Sequence, residues 1–238
     1  MKKNIIFALL VGFSTAAVAQ TAKTKKNSAN LLDRNTDHIS IQFGRLAWAN
    51  KPDSIGTRGL SRTFNIHIFK DFIFKTNNHF SVGIGVGIGS DHLNLDERNV
   101  ILTKNVSPVL RFPKQTGTIY TRTKLASTYA EAPVELRYTA NPANYDKSFK
   151  VALGLKVGQL IDVHTRRKKA EVGGTATALP TLKEKDRSFF EKTRLAITSR
   201  IGYGHFSLFG TYQINSFIKD ANNFNIRPFS VGICLSGM

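Results

Sequence analysis

The chain holds one cysteine, Cys234. An intrachain disulfide is therefore excluded, and an exported fold must stand without that staple. Long apolar runs are also missing. None approaches the roughly 20 residues that a membrane-spanning helix needs. Acidic residues are scarce: 16 Asp and Glu stand against 34 Lys and Arg, a formal charge of +18. Such a balance points to an acidic partner, such as anionic lipid head groups or phosphorylated glycans. Nucleic acid is not expected, because no nucleic-acid motif is present and an export signal removes the opportunity. No G-x-S-x-G or comparable nucleophile motif appears. His92 and His164 have no metal-ligand spacing, and His67 reads as a hydrogen-bonded interior group. No metal, no cofactor and no catalytic residue is expected.

The N-terminus, "MKKNIIFALLVGFSTAAVAQ", has the pattern of a secretory signal. Lys2 and Lys3 form a positive start, a short apolar core follows, and Ala17-Val18-Ala19 is an A-x-A site. No cysteine follows the apolar core, so a lipid anchor is not expected. The organisation read from this is a signal peptide at 1–19, cleaved after Ala19, a flexible basic leader at 20–37, and one domain at 38–238. Hydrophobic residues make up 41% of the 238, which excludes disorder by composition and allows a single domain or a β-barrel.

The dominant pattern beyond residue 38 has a period of two. "HFSVGIGVGIGSD" at 79–91 places Phe80, Val82, Ile84, Val86 and Ile88 on one face. Gly83, Gly85, Gly87 and Gly89 fall on the other. The glycines match neither the dinucleotide fingerprint nor the P-loop, so they are no phosphate cradle. Seven further segments alternate in the same way, beginning "HISIQFGRLAW", "LSRTFNIHIF", "TYAEAPVELRY", "SFKVALGLKVG", "TRLAITSRIGY", "HFSLFGTYQI" and "IRPFSVGICLS". That makes about eight strands, each near the length that crosses a bilayer at a tilt.

Short connections, "KTNNH", "NPANYDK" and "YGH", alternate with long ones at 49–59, 90–118, 162–192 and 219–225. An up-and-down barrel puts all short turns at one rim and all long loops at the other, as outer-membrane barrels do. Phe72, Phe74, Phe80, Tyr138, Phe149, Tyr203 and Phe206 flank the short turns and predict an aromatic belt there. Alternation leaves open which face points in. Glycines on a wet outer surface would weaken a strand for no gain, whereas inside a narrow barrel they make room. The expected fold is all-β: an eight-stranded antiparallel up-and-down transmembrane β-barrel, apolar face outward. A soluble barrel carrying an apolar ligand in the periplasm is the competing architecture.

"TYAEAPVELRY", "NPANYDKSFKVALGLKVG", "RIGYGHFSLFGTYQI" and "IRPFSVGICL" resemble the PorT-like outer-membrane β-barrel family of Gram-negative bacteria. The likeness runs from about residue 80 to 235, and Tyr129, Glu131 and Pro133 carry its most specific piece. It implies a small barrel in the cell outer membrane and little about activity. The chain departs from the family at Ala130 and Ala132, where larger apolar residues are usual, and ends in Met238 rather than an aromatic residue.

An inward polar face places Glu131, Glu135, Arg137, Lys156, Arg194 and Arg200 in the lumen, where buried charges demand partners. Glu131 and Glu135 are about 13 Å apart along a strand, too far for paired-carboxylate chemistry. They read as structural. Pro133 removes a ladder donor and predicts a bulge or bend. Cys234 reads as a small packed residue in the lumen. "HTRRKKAE" at 164–171 is the strongest charge run; Arg166, Arg167, Lys168 and Lys169 form a candidate loop contact for lipopolysaccharide phosphates. The function expected is that of a small, non-enzymatic, monomeric barrel with a filled lumen. It would act through long extracellular loops in surface binding, envelope integrity or docking to a secretion apparatus. Its partners would be outer-membrane lipid, lipopolysaccharide and envelope proteins. A membrane-embedded lipid-modifying enzyme is the other alternative; it needs a Ser/His/acid cluster at the outer rim.

Overall fold

A computed structural model of the chain describes residues 38–52, 55–57, 61–96, 110, 112, 118–172, 175–177, 182–219 and 225–237. The segments expected as signal peptide (1–19) and leader (20–37), and Met238, lie outside them. The strands are β1 (Ile39–Ala49), β2 (Gly56–Thr57), β3 (Arg62–Ile73), β4 (Phe80–Asp96), β5 (Thr118–Thr139), β6 (Phe149–Val172), β7 (Thr175–Thr177), β8 (Leu182–Lys185), β9 (Thr193–Tyr203), β10 (Phe206–Gln213) and β11 (Arg227–Ser236).

Eight of them close into an antiparallel barrel in the order β1-β3-β4-β5-β6-β9-β10-β11. The seam is β1 with β11, where Ser40 pairs Ser236 and Ala49 pairs Arg227. Closure leaves no barrel edge to satisfy, which is what lets strands cross lipid. The three short strands decorate the long-loop end: β2 pairs β4, and β7 and β8 fold back on β6. No helix among the described residues is long and apolar enough to cross a membrane.

The apolar face points outward. Val86 is 65% exposed, Leu153 60% and Ile233 60%, while Ser40, Asn65, Glu135 and Thr198 on the other face are buried. This is the inverse of a soluble barrel. At the short-turn rim Phe72, Phe74, Tyr138, Phe149, Tyr203 and Phe206 are all exposed. Phe80 is half-buried, its ring 5.2 Å from that of Tyr138.

Two features differ from the sequence reading. The long connections are shorter than alternation implies, because β4 continues to Asp96, β5 starts at Thr118 and β6 runs to Val172. With 22 and 24 residues, β5 and β6 are about twice what crosses a bilayer. Outside the membrane both faces can be polar, so apolar alternation fades while ladder pairing goes on. The second difference concerns Pro133. It interrupts the β4–β5 ladder between Ile84↔Val134 and Gly87↔Glu131, as a missing donor should, but stays in register opposite Lys156, and the bulge lies instead between Thr128 and Tyr129. Thr128 pairs Asp162 and Tyr129 pairs Leu160, so Ile161 is the extra residue. Even-numbered residues of β6 face inward up to Leu160, and odd-numbered ones from Val163 to Arg167.

Candidate functional site

Alternation on each strand aims one polar row into the lumen, and barrel closure brings those rows together as two ion clusters. In the first, Glu131 on β5 meets Lys156 Nζ at 3.0 Å, His67 Nε2 at 2.9 Å and Arg194 Nη1 at 3.1 Å. Arg194 also pairs with Asp91, donates to Gln213 at 3.0 Å and stacks over the Tyr129 ring at 4.3 Å. Thr63 donates to Asp91 at 2.6 Å. In the second cluster, Glu135 accepts from Arg200 at 2.5 Å and pairs with Arg137 at 3.0 Å. Arg137 continues to Asp71 at 2.5 Å and lies over the Phe69 ring at 4.1 Å. Arg200 reaches Cys234 Sγ at 3.7 Å, and Ser40 Oγ lies 3.4 Å from the same sulfur.

All six charged residues read from the sequence as lumenal are thus buried and paired. Asp71 and Asp91 are not among the residues read from the sequence as lumenal, and Gln213, on the polar face of its strand, joins them. Each is inward by parity on its strand, and parity was the available signal.

The glycines of β4 form the wall against which these groups lie. A Cβ on Gly83 would stand 2.7 Å from the Arg137 guanidinium, and one on Gly89 2.7 Å from the Glu131 carboxylate. Phe69 fills the space over Gly85. The glycines are bare because large side chains from the neighbouring strands occupy their side of the wall.

Both ends of the ion clusters are covered. At the short-turn end Tyr145, from the 3-10 turn Pro142–Lys147, lies 3.4 Å from the inward Lys150 ammonium. At the long-loop end an apolar cap fills the mouth. Leu46, Trp48, Leu93, Leu125 and Val163 supply it from the strands; Ile55, Phe112, Phe190, Phe217 and Ile226 supply it from the connections. The Trp48 ring centroid is 5.8 Å from Phe217, and Phe190 is 4.9 Å from Phe217. A void of about 10 Å³ remains between the cap and Asp91, at the lower limit for one water. Sequence reading did not find this cap, because the connections show no period and their apolar residues are scattered.

The basic run expected as a loop is a continuation of β6. The bulge at Ile161 splits its members. Arg166 faces outward and is exposed, while Arg167 faces inward, is buried and pairs with Glu184. The side chains of Lys168 and Lys169 lie outside the described residues. On the same outward face, Ser90 Oγ is 3.3 Å from His92 Nε2. Among the described carboxylates none orients that histidine. Asp91 points inward to Arg194, and Asp162 pairs with His164 at 2.8 Å and Lys185 at 2.5 Å. A triad would need such an acid to orient the histidine. Among the described residues no group of three or more His, Cys, Asp or Glu is placed to hold a metal.

A closed barrel with lipid-facing apolar strands and a polar lumen is matched by a family described as outer membrane protein beta-barrel domain, over residues 11–236. The chain belongs to that outer-membrane β-barrel family. Its place is accordingly the outer membrane of a Gram-negative envelope. The barrel is similar to the crystal structure of Ail, the attachment invasion locus protein of Yersinia pestis. Identity is 14%, the match covers 85% of this chain and 97% of that chain, and the TM-score is 0.37. No curated protein matches the chain.

Proposed function

We propose that this family member, in its PorT-like branch, is a sealed, non-enzymatic, monomeric barrel that works through its long-loop rim. The observation that carries the reading is the filling of the lumen. Tyr145 and Lys150 lie at one end, two ion clusters in the middle and the Trp48–Phe190–Phe217 cap at the other. An eight-stranded barrel has an interior just wide enough for side chains to fill. Solute passage would require breaking buried ion pairs, each of which leaves an uncompensated charge. What remains for function is the surface beyond the membrane: β4, β5 and β6 with the hairpins on them. Its partners are outer-membrane lipid, lipopolysaccharide and envelope or secretion proteins. The segment 1–19 acts as the export signal, cleaved after Ala19, with 20–37 as a leader to the domain 38–238.

Planar-bilayer recording of the purified, folded barrel tests the reading. The expected trace is flat at the level of the protein-free bilayer. Reproducible unitary conductance steps would overturn the sealed lumen.

A further inference from the structure

The outward face of the barrel carries two register rows rich in Arg, Lys and His at the long-loop end. Register fixes the first row across six neighbouring strands. Arg45 pairs Arg62, Arg62 pairs His92, His92 pairs Ala126, Ala126 pairs His164, and His164 pairs Lys185. The second row, two residues further out, runs Asn94, Lys124, Arg166 and Lys183. Arg45, Arg62, Arg166, Lys183 and Lys185 are exposed, and Lys124 is half-buried.

The first row starts at the edge of the apolar band. Phe43 and Phe64, 46% and 42% exposed, lie in the register row below Arg45 and Arg62. The step between rows is two residues, about 7 Å along the strand. Arg45 and Arg62 are thus level with lipid head groups, and their stems can lie along the apolar surface, while strand tilt carries the β6 and β8 ends of the rows further out toward the phosphorylated sugars. Among the described residues the acidic counterpart on this face is Asp162, already paired with His164 and Lys185.

Like charges directly opposite one another on adjacent strands are destabilising. Arg45 against Arg62, and Lys124 against Arg166 against Lys183, are such pairs. The local field is felt by His92, which lies beyond the apolar band. Burial lowers its pKa, and Arg62, Lys124 and His164 lower it further against the pull of Asp91. A multivalent anion bridging the rows would relieve the repulsion, and Arg and Lys bind phosphate with charge-assisted hydrogen bonds.

We propose that these two rows bind the phosphate groups of the outer-leaflet glycolipid, clamping the barrel side-on to lipopolysaccharide. The contact is on the barrel wall and spans β1 to β8, rather than being confined to the run 166–169. It rests on the lipid-facing placement of the barrel and not on the sealed lumen, so a conducting barrel would leave it standing.

The test uses the folded barrel in neutral detergent micelles with fluorescent bisphosphorylated lipid A, and with the same lipid dephosphorylated. Wild type should hold the phosphorylated form at least tenfold tighter. The variant R45Q/R62Q/R166Q should lose roughly a hundredfold, at about fivefold per cation. The variant K70Q/K75Q/K147Q, at exposed lysines near the other rim, should stay within about twofold of wild type. Heat-modifiable gel migration reports whether each is folded. Raising salt from low to molar levels should erase the wild-type preference, which tests the idea without any variant. Equal affinity for the two lipids, equal loss in both variants, a salt-independent preference or equally tight binding of phosphatidylglycerol would each overturn it.

Discussion

Arg194 donates to Glu131 across the lumen at 3.1 Å, although the two stand 63 residues apart in the chain. The same carboxylate also holds Lys156 and His67, so one acidic group on β5 ties together β3, β5, β6 and β9. Glu131 is 3% exposed, and water cannot replace it.

Glu131→Gln should therefore be among the most damaging single changes in the lumen. It removes the charge that Lys156 and Arg194 share and leaves both cations buried without that partner. Breaking a buried pair costs about 3–5 kcal/mol. Urea unfolding in micelles, followed by the gel shift between folded and unfolded barrel, should show a loss of that order. A change below about 1 kcal/mol would show that the cluster does not hold the strands together.

Glycine substitutions should separate by position. A Cβ on Gly87 would run into the Ile66 carbonyl oxygen, whereas one on Gly210 meets Ser199 Oγ at 3.3 Å. Gly87→Ala should cost about 1–3 kcal/mol through forced shifts of β3, and Gly210→Ala less than about 1 kcal/mol. The folded fraction after refolding into micelles measures both. Equal tolerance would mean that β4 is not closely packed.

Charge on the lipid face gives a third test. Leu155 is 53% exposed, midway along the outward row of β6 from Phe149 to Ile161. Leu155→Arg should cost about 2–4 kcal/mol in a bilayer. Arg166→Leu, beyond the band, should fold as well as wild type. Equal tolerance of Leu155→Arg and Arg166→Leu in the bilayer would show that Leu155 does not face lipid.

Trp48 is the single tryptophan of the chain and sits in the apolar cap at 5% exposure. Its emission should be blue-shifted and protected from iodide. Phe217→Ala removes a ring 5.8 Å away and should shift the emission to the red while destabilising the cap by about 3–5 kcal/mol. Free quenching in the wild type would show an open mouth.

The Ser90–His92 contact leads to a last expectation. With no carboxylate directed at the histidine among the described residues, Ser90→Ala should leave the protein unchanged in folding. Radiolabelled outer-membrane phospholipids should release no acyl chain in its presence or in that of wild type. Acyl release by wild type and its loss in Ser90→Ala would establish an enzyme.

Much of the barrel was legible from residue order. Period-two alternation over segments such as 64–68 and 80–88 comes from backbone pleat, a local property, and it set the strand number and the two faces. The glycines at 83, 85, 87 and 89 identified the inner wall for the same reason, since an exposed strand has no use for a bare side. Residue order could not set which charges meet. Arg194 finds Asp91 and Glu131, and Arg200 finds Glu135, only through the stagger that closure imposes on eight strands. Nor could it place the extra residue at Ile161, which reverses the parity of β6 and sends Arg167 inward while Arg166 faces out. The Trp48 cap and the rows joining Arg45 to Lys185 have the same origin. They collect residues from connections and strands far apart in sequence, and only the tertiary fold sets them side by side on the barrel.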